Sequence, residues 1–352
     1  MSFLNRCISP LGYFFQIVII GIVVASLTSL AVGISPLKTM SAYWSGAFMN
    51  LNNLAITLNK SSLILFAALA VAIPLRGGLF NVGGEGQIYL GGLTAALVGI
   101  YLKGLPTPLP LIFAVAAGIA VGAAWGWVAG IIKVKRKVHE VVTTIMLNYV
   151  ALYLVDFLVR GPFSVGYGMA RTAKITENAS LPSLTIAGGA TILSPGIFFA
   201  VGLCVLYGWY MKNKPQGYEV RILGESRDAA TYAGIDYKSY YVRLMVIGGM
   251  LAGLGGAIDL TGVHRTFYAG SFSGYGYDGL AAAFLSKCHP VGLVVASVFL
   301  ASLRSADRYF QLYADISPNI TLIIEAVLVF IVSGKYILRK LDVGRKSKAE
   351  GT

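Results

Sequence analysis

The sequence predicts an all-α membrane protein that crosses the bilayer many times in one chain. Of its 352 residues, 56% are hydrophobic and only 12% are charged, which is about half the charged fraction of an average soluble domain. Apolar runs recur from Leu11 to Leu338, and no interval between them is long enough for a separate soluble domain. Residues 1–352 are therefore expected to form a single transmembrane domain.

The basic residues predict how the chain is oriented. Residues 133–137 hold four basic side chains, the densest internal cluster, and the positive-inside rule places it in the cytoplasm. The basic tail at residues 339–352 is expected on the same side. From a first span at residues 11–34 to a last one at residues 320–332, these anchors require about ten passages with both termini cytoplasmic. The same count puts residues 304–317 in a charged external loop.

Some of these passages are expected to be short or broken. The predicted spans at residues 62–74 and 87–102 are brief for a hydrocarbon core about 30 Å thick. Residues 35–60, which precede them, are interpreted as an external amphipathic connection. Residues 278–286 are too few to cross alone, so we expect a half-helix to carry the chain inward there.

The apolar run at residues 109–132 carries a regular stripe of small residues. Glycine recurs there at every fourth position, as Gly118, Gly122, Gly126 and Gly130. This spacing places the glycines along one face of a helix, where small residues let two membrane helices approach closely. We interpret the stripe as a helix-packing surface.

Residues 74–92 set glycines, an acid and two amides between two apolar runs. Polar or irregular chain at membrane depth is tolerated only where it is buried in protein or lines a cavity. Two roles are open for Glu85, since its charge suits the first turn of a helix and an intramembrane acid also suits contact with a solute. An aromatic ring stacks on a base, and amides meet hydroxyl groups. The candidate pathway residues are Phe80, Asn81, Glu85, Gln87 and Asp278.

The longest predicted cytoplasmic loop, residues 212–240, is amphipathic rather than disordered. Its pattern predicts two short helices, separated by Gly224 and closed by Gly234. Asp228 lies beside a helix start, where its charge suits the dipole. Three alanines leave a smooth face, namely Ala229, Ala230 and Ala233. Such a face suits docking into a groove of a partner protein.

Several other functions are disfavoured. No Gly-x-x-x-x-Gly-Lys-Ser/Thr motif occurs, so this chain does not itself cradle ATP phosphates in a P-loop. His139, His264 and His289 are isolated and the three cysteines lie far apart, so neither a metal site nor a disulfide framework is expected. The net charge of +13 gathers in short loops and the tail, where membrane orientation and anionic headgroups explain it without nucleic acid. We expect no enzyme activity from this chain alone.

Three segments, at the right order and spacing, resemble one family. They are GLFNVGGEG at residues 78–86, DAATYAGI at residues 228–235 and GVHRTFYAGSFSGYGYDG at residues 262–279. These segments are similar to motifs of the permease subunits of ATP-binding-cassette importers for nucleosides and simple sugars, which are related to the branched-chain amino acid permeases. The sequence departs from the family pattern at Gly84, where valine is common, and at residues 286–289, which read Ser-Lys-Cys-His.

The resemblance implies a function and a set of partners. It implies a multi-pass permease of a bacterial cytoplasmic membrane that moves nucleosides or related simple sugars inward. The implied partners are a cytoplasmic ATP-binding subunit, a second permease subunit, identical or different, and an external substrate-binding protein. ATP is used by the partner, and no cofactor is expected on this chain. The residues expected to couple to the ATPase are Gly217, Glu225, Asp228, Ala229, Ala230, Tyr232, Gly234 and Ile235.

An ion-coupled secondary transporter of a small polar solute is the alternative, because such proteins also use broken helices. It would need a proton or sodium relay. The acids available for one are Glu85, Asp156, Asp259 and Asp278. They are scattered along the sequence and lack a paired intramembrane base, which favours the ATP-driven importer.

Overall fold

The computed structural model describes residues 35–166, 169–186 and 191–314, together with the single positions 23, 26, 30 and 33. The predicted spans at residues 11–34 and 320–332 and the basic tail at residues 339–352 lie outside these three ranges. The helices within them are α1 Pro36–Ala47, α2 Leu51–Arg76, α3 Gly84–Tyr101, α4 Leu109–Arg136, α5 Glu140–Arg160, α6 Gly196–Asn213, α7 Pro215–Glu225, α8 Arg227–Tyr232, α9 Tyr237–Asp259, α10 Tyr275–Leu285 and α11 Pro290–Ala314.

Five of the described helices are long and apolar enough to cross a membrane, namely α2, α4, α5, α9 with its π-helical extension Leu260–His264, and α11. The predicted all-α membrane architecture is confirmed over the described ranges, apart from two short strands. The strands β1 Leu184–Ile186 and β2 Thr191–Leu193 pair antiparallel, with Leu184 opposite Leu193. The count of about ten passages and the cytoplasmic termini stay predictions.

Helix α2 forms the centre of the bundle. Every residue from 61 to 72 is buried, as expected of a helix that is apolar on all sides. The predicted connection over residues 35–60 is too long, because α2 begins at Leu51, and the first part of it forms the short helix α1. The Asn50 side chain caps α2 by accepting the N–H of Asn53 at 2.8 Å. Lys60 also lies inside α2. Its ammonium group has a partner there, because it donates a hydrogen bond of 2.8 Å to the carbonyl oxygen of Arg304.

The glycine stripe of α4 packs against α9, which confirms the predicted packing surface. Gly118, Gly122, Gly126 and Gly130 are all buried. A Cβ atom at Gly122 would overlap the carbonyl oxygen of Gly249, and one at Gly126 would overlap that of Met245. The two backbones therefore touch directly, which larger residues would prevent.

Helix α11 corrects the prediction of an external charged loop at residues 304–317. Residues 304–314 continue the helix that begins at Pro290, and residues 315–317 lie outside the described ranges. Arg304 is largely buried and ion-pairs with Asp278 of α10. A buried charge with a partner is compatible with a helix inside the bundle, and the sequence gives no direct sign of that partner.

Candidate translocation site

The turn between α2 and α3 folds back into the bundle. Gly78 adopts φ +78°, a left-handed conformation that glycine accepts without steric strain. The Asn81 side-chain amide then donates a hydrogen bond of 3.1 Å to the carbonyl oxygen of Ala70. Ala70 lies about 9 Å before the end of α2, since a helix rises about 1.5 Å per residue. Helix α3 therefore starts well inside the apolar part of the bundle, and the predicted bend lies at residues 77–83.

Helix α10 also begins inside the bundle. It contains 11 residues and is about 16 Å long, roughly half of a hydrocarbon core, as the predicted half-helix requires. Gly279, its fifth residue, packs on Ala67 and on the backbone nitrogen of Ala68, near the middle of α2. The N-terminal ends of α3 and α10 thus meet at about the same depth.

Glu85 joins these two N-terminal ends. It lies in the first turn of α3, and its carboxylate accepts the N–H of Gly274 at 2.6 Å and the N–H of Gly276 at 2.7 Å. Both helix ends carry partial positive charge, so one buried anion stabilises both. Of the two roles open from sequence, the geometry favours capping, and the helix that is capped through hydrogen bonds is α10.

Two more candidate pathway residues hold the turn rather than line an opening. Asn81 and Gln87 are 0% and 1% exposed. The Asn81 amide nitrogen lies 3.3 Å from Gln87 Oε1, and Asn81 Oδ1 accepts the N–H of Gly83 at 3.1 Å. Phe80 differs, because it is 36% exposed and its ring centroid lies 6.1 Å from that of Phe284 in α10.

Asp278 is paired at the start of α10. Its carboxylate ion-pairs with Arg304, whose guanidinium also donates 3.0 Å to the carbonyl oxygen of Ser273. The same guanidinium carbon lies 4.3 Å from the centroid of the Tyr275 ring, within the range of a cation–π contact. Arg304 therefore fixes the loop, the acid and the aromatic residue at one helix end.

The sequence prediction missed Asn148 of α5, which braces the start of α3. Asn148 is 1% exposed. Its Oδ1 atom accepts the N–H of Gly86 at 2.9 Å, and its Nδ2 atom donates 2.9 Å to the carbonyl oxygen of Val82. A single asparagine within an apolar run was the available signal, since intramembrane polar residues usually have a partner.

The four acids considered for an ion relay each have a partner. Glu85 is held by two backbone N–H groups and Asp278 by Arg304. Asp156 pairs with Arg160 at 2.7 Å, and Asp259 pairs with the imidazole of His264 at 2.7 Å. Glu85 and Asp278 both lie at the start of α10, but each of the four carboxylates is engaged by its own partner.

The region of residues 212–240 contains two helices, as predicted. The break falls at Ser226 and not at the predicted Gly224, which lies inside α7. The Ser226 side chain caps α8 by accepting the N–H of Ala229 at 3.2 Å. Tyr232 is 94% exposed, and the other exposed members of the expected ATPase contact are Glu225, Asp228, Ala229 and Gly234. Ile235 is half-buried, while Gly217 and Ala230 are buried. Ala230 thus belongs to the inner side of α8 and not to a smooth outer face.

Helix α7 packs directly on the turn that leads to Glu85. A Cβ atom at Gly224 would overlap the carbonyl oxygen of Arg76 and come within 3.3 Å of the Gly78 nitrogen. Val220 and Leu223 of the same helix are buried. The contact is close enough that a shift of α7 would move the turn.

Comparisons with known proteins agree with this architecture. A family model described as the permease component of branched-chain amino acid transport systems matches residues 53–333. A guanosine ABC transporter permease protein of Bacillus subtilis is 33% identical over 328 residues, covering 92% of each chain. A glucose ABC transporter permease protein of Haloferax volcanii is 29% identical, covering 92% of this chain and 87% of the relative.

A nucleoside ABC transporter permease protein of Lactococcus lactis is 28% identical, covering 91% of this chain and 90% of the relative. The resemblance predicted from three short motifs therefore extends over nearly the whole sequence. The chain belongs to the family of permease components of branched-chain amino acid transport systems.

Proposed function

We propose that this chain is the permease subunit of an ABC importer that moves nucleosides or related simple sugars into the cell. A separate ATPase subunit drives the transport, and this chain binds neither ATP nor another cofactor. The named relatives support the substrate class, because two are nucleoside or guanosine permease proteins and one is a glucose permease protein.

The contact of Gly224 with Arg76 and Gly78 is the observation that carries the proposal. It connects the exposed helices α7 and α8 to the turn at residues 77–83, and that turn ends at Glu85. Closure of an ATPase dimer would pull on α8 and shift α7 against the turn. The turn would then move the paired N-terminal ends of α3 and α10, which changes access between the two sides of the membrane.

The ATPase contact comprises the residues expected from the sequence. Tyr232, Asp228 and Ala229 reach the partner, while Gly217 and Ala230 keep α7 and α8 seated on the bundle. The whole set is Gly217, Glu225, Asp228, Ala229, Ala230, Tyr232, Gly234 and Ile235. Residues 212–240 thus form the cytoplasmic coupling loop of one transmembrane domain, residues 1–352, and residues 339–352 form its basic cytoplasmic tail.

The solute passes the uncovered side of α10. Tyr277 is 42% exposed, and it shares a stripe at helical spacing with Leu280 and Phe284, both half-buried. Phe80 lies beside Phe284, and Ser273 next to the helix start is exposed. The loop that precedes α10 is irregular backbone at membrane depth, which is tolerated where it is buried in protein or lines a cavity, and this supports a path along this side. Asn81, Glu85, Gln87 and Asp278 hold its shape, and the aromatic residues contact the solute.

Membership of the family supports the proposed assembly. A second permease subunit, identical or different, covers the opposite side of the path, and an external substrate-binding protein delivers the solute. The chain lies in a bacterial cytoplasmic membrane, with about ten passages and both termini in the cytoplasm. The partnered state of Glu85, Asp156, Asp259 and Asp278 argues against ion coupling, which needs acids that exchange a proton or ion.

Uptake into vesicles that contain the whole complex tests the proposal. Radiolabelled nucleosides and sugars are offered with their binding protein, with ATP inside or outside the vesicle, and with or without an ionophore. The proposal expects uptake that requires ATP on the cytoplasmic side and resists the ionophore. Uptake without ATP that the ionophore abolishes would show the ion-coupled alternative instead.

A further inference from the structure

A lateral cavity lies between α2, α6, α7 and α9, apart from the path beside α10. Its volume is about 330 Å³, within the range of small-molecule sites. Its walls are mainly aliphatic and aromatic, with Leu69 of α2, Leu203 of α6 and Leu244 of α9 among them. Leu206 and Ile247 at its mouth are 51% and 40% exposed, so the cavity opens on the outer surface of the bundle.

The dimensions of the cavity match one acyl chain of one leaflet. Its α9 wall runs from Tyr240 to Leu251, a rise of about 16 Å. Half of a hydrocarbon core is about 15 Å. Water gains few hydrogen bonds in such an apolar space, whereas a hydrocarbon chain fills it without losing any.

One end of the cavity is basic. Arg243 lines it and is exposed, and Lys212 and Lys214 follow the α6 wall at the same end. The Lys214 ammonium lies 5.0 Å from the Trp209 ring centroid, an arrangement typical of a membrane interface. The acid beside this end, Glu219, is hydrogen-bonded to the Tyr240 hydroxyl. Arg243 takes part in none of the ion pairs among the described residues, so its charge is available to an anion, and in the predicted orientation it faces the cytoplasmic leaflet.

We propose that this cavity binds an anionic phospholipid of the cytoplasmic leaflet, with an acyl chain between α6 and α9 and the phosphate on Arg243. Arginine suits this contact because its planar group binds phosphate through two N–H donors. The same lysines add to the attraction of the leaflet. A zwitterionic lipid would fill the apolar part equally well and also carries a phosphate, but the basic end would repel its cationic headgroup. The net charge of this end therefore supplies the preference for an anionic lipid.

The lipid would also support the coupling helix. Gln216 and Val220 of α7 form part of the cavity wall, and Val220 lies 3.6 Å from where a Cβ atom at Gly77 would stand. An occupied cavity thus keeps α7 pressed on the turn that leads to Glu85. The inference extends to transport only if the proposed function is right, whereas lipid binding itself does not depend on it.

Native mass spectrometry of the assembled complex tests the binding. The complex is equilibrated with vesicles of phosphatidylcholine, alone or mixed with phosphatidylglycerol, and retained lipid is counted. We expect the unaltered complex to retain phosphatidylglycerol. Retention should be about tenfold weaker in Arg243→Gln, because one charge-assisted contact is worth about 1.4 kcal/mol or more. Ile247→Trp, which fills the mouth, should also expel it. Arg136→Gln, which removes an exposed cation of α4 away from the cavity, should retain lipid like the unaltered chain.

Three results would overturn the proposal. One is equal retention of the two lipids, which marks only a non-selective lipid surface. Another is unchanged retention of phosphatidylglycerol in Arg243→Gln. The third is efficient cross-linking of Leu206→Cys to the second permease subunit, which would show that protein covers the cavity.

Discussion

The carboxylate of Glu85 accepts the backbone N–H of Gly276 at 2.7 Å, although 191 positions separate the two residues in the sequence. This bond and its neighbour to Gly274 join the start of α3 to the start of α10. Because the acid is 3% exposed, water cannot replace it as an acceptor. The carboxylate is therefore part of the framework that holds the N-terminal ends of α3 and α10 together.

Replacement of Glu85 by glutamine should destabilise this junction. Glutamine offers one oxygen acceptor and turns an N–H donor toward the second backbone donor. We therefore expect the free energy of unfolding to fall by about 1–3 kcal/mol. The thermal midpoint of the purified complex should fall, and transport should fall with it while the ATPase stays assembled. Glu177→Gln, which changes an exposed acid of the short 3-10 helix Glu177–Ala179, is the control. Equal midpoints for the two variants would show that Glu85 does not hold the junction.

The pair of Asp278 and Arg304 should behave as a buried unit. Removing one partner by Arg304→Gln leaves an uncompensated buried charge on Asp278. We expect this to lower the free energy of unfolding by about 3–5 kcal/mol. The double variant with Asp278→Asn should recover part of that loss. Arg160→Gln breaks the exposed pair with Asp156 and should cost about 1 kcal/mol or less. A double variant no more stable than Arg304→Gln alone would contradict the pairing.

Because α4 and α9 are in close contact, we expect that Gly253 cannot be replaced even by alanine without loss of stability. A Cβ atom there would overlap the carbonyl oxygen of Gly118 and lie 3.1 Å from the Cα atom of Gly122. We expect Gly253→Ala to cost about 1–3 kcal/mol through overpacking, seen as a lower thermal midpoint. Gly202→Ala is the matched control, because its Cβ atom meets nothing within 4 Å. Indistinguishable midpoints would mean that the helices separate freely at this point.

Tyr277 should affect transport more than stability. Stacking of a base on an aromatic side chain is worth about 1–3 kcal/mol, so Tyr277→Ala should lower nucleoside uptake at low concentration by about tenfold. Ribose uptake, if present, should change less. Tyr153→Ala, which changes a tyrosine of α5 that is 73% exposed, is the control for loss of a surface ring. The assignment fails if both variants transport alike.

The local parts of this site were predictable from the sequence, and the long-range parts were not. Glycines around an acid predicted that a helix starts near Gly84 with Glu85 in its first turn, because these signals are local. The hydrogen bonds from α10 depend on backbone groups, which have no sequence signature. Four-residue glycine spacing gave the packing face of α4, but Gly249 and Gly253 opposite it could not be paired from sequence alone.

The wrong predictions came from polar residues that are satisfied inside the bundle. Asn53 and Lys60 were assigned to the external connection, yet both lie in α2, where each side chain donates a hydrogen bond to a backbone carbonyl of the bundle. Arg304 suggested an exposed loop, yet Asp278 neutralises it in α11. Buried polar groups are affordable only with partners, and those partners lie far away in the chain.

The most direct test of the account is the effect of Gly224→Ala on coupling. The added Cβ atom would push α7 from Arg76 and Gly78, while the exposed surface of α8, the proposed ATPase contact, stays intact. With the loaded binding protein present, we expect ATP hydrolysis by the complex to lose its stimulation and uptake to fall about tenfold, a coupling loss of about 1.4 kcal/mol. Basal hydrolysis and assembly should match those of Gly202→Ala. Full stimulation and uptake in Gly224→Ala would contradict the proposal that α7 transmits the ATPase movement to the junction at Glu85.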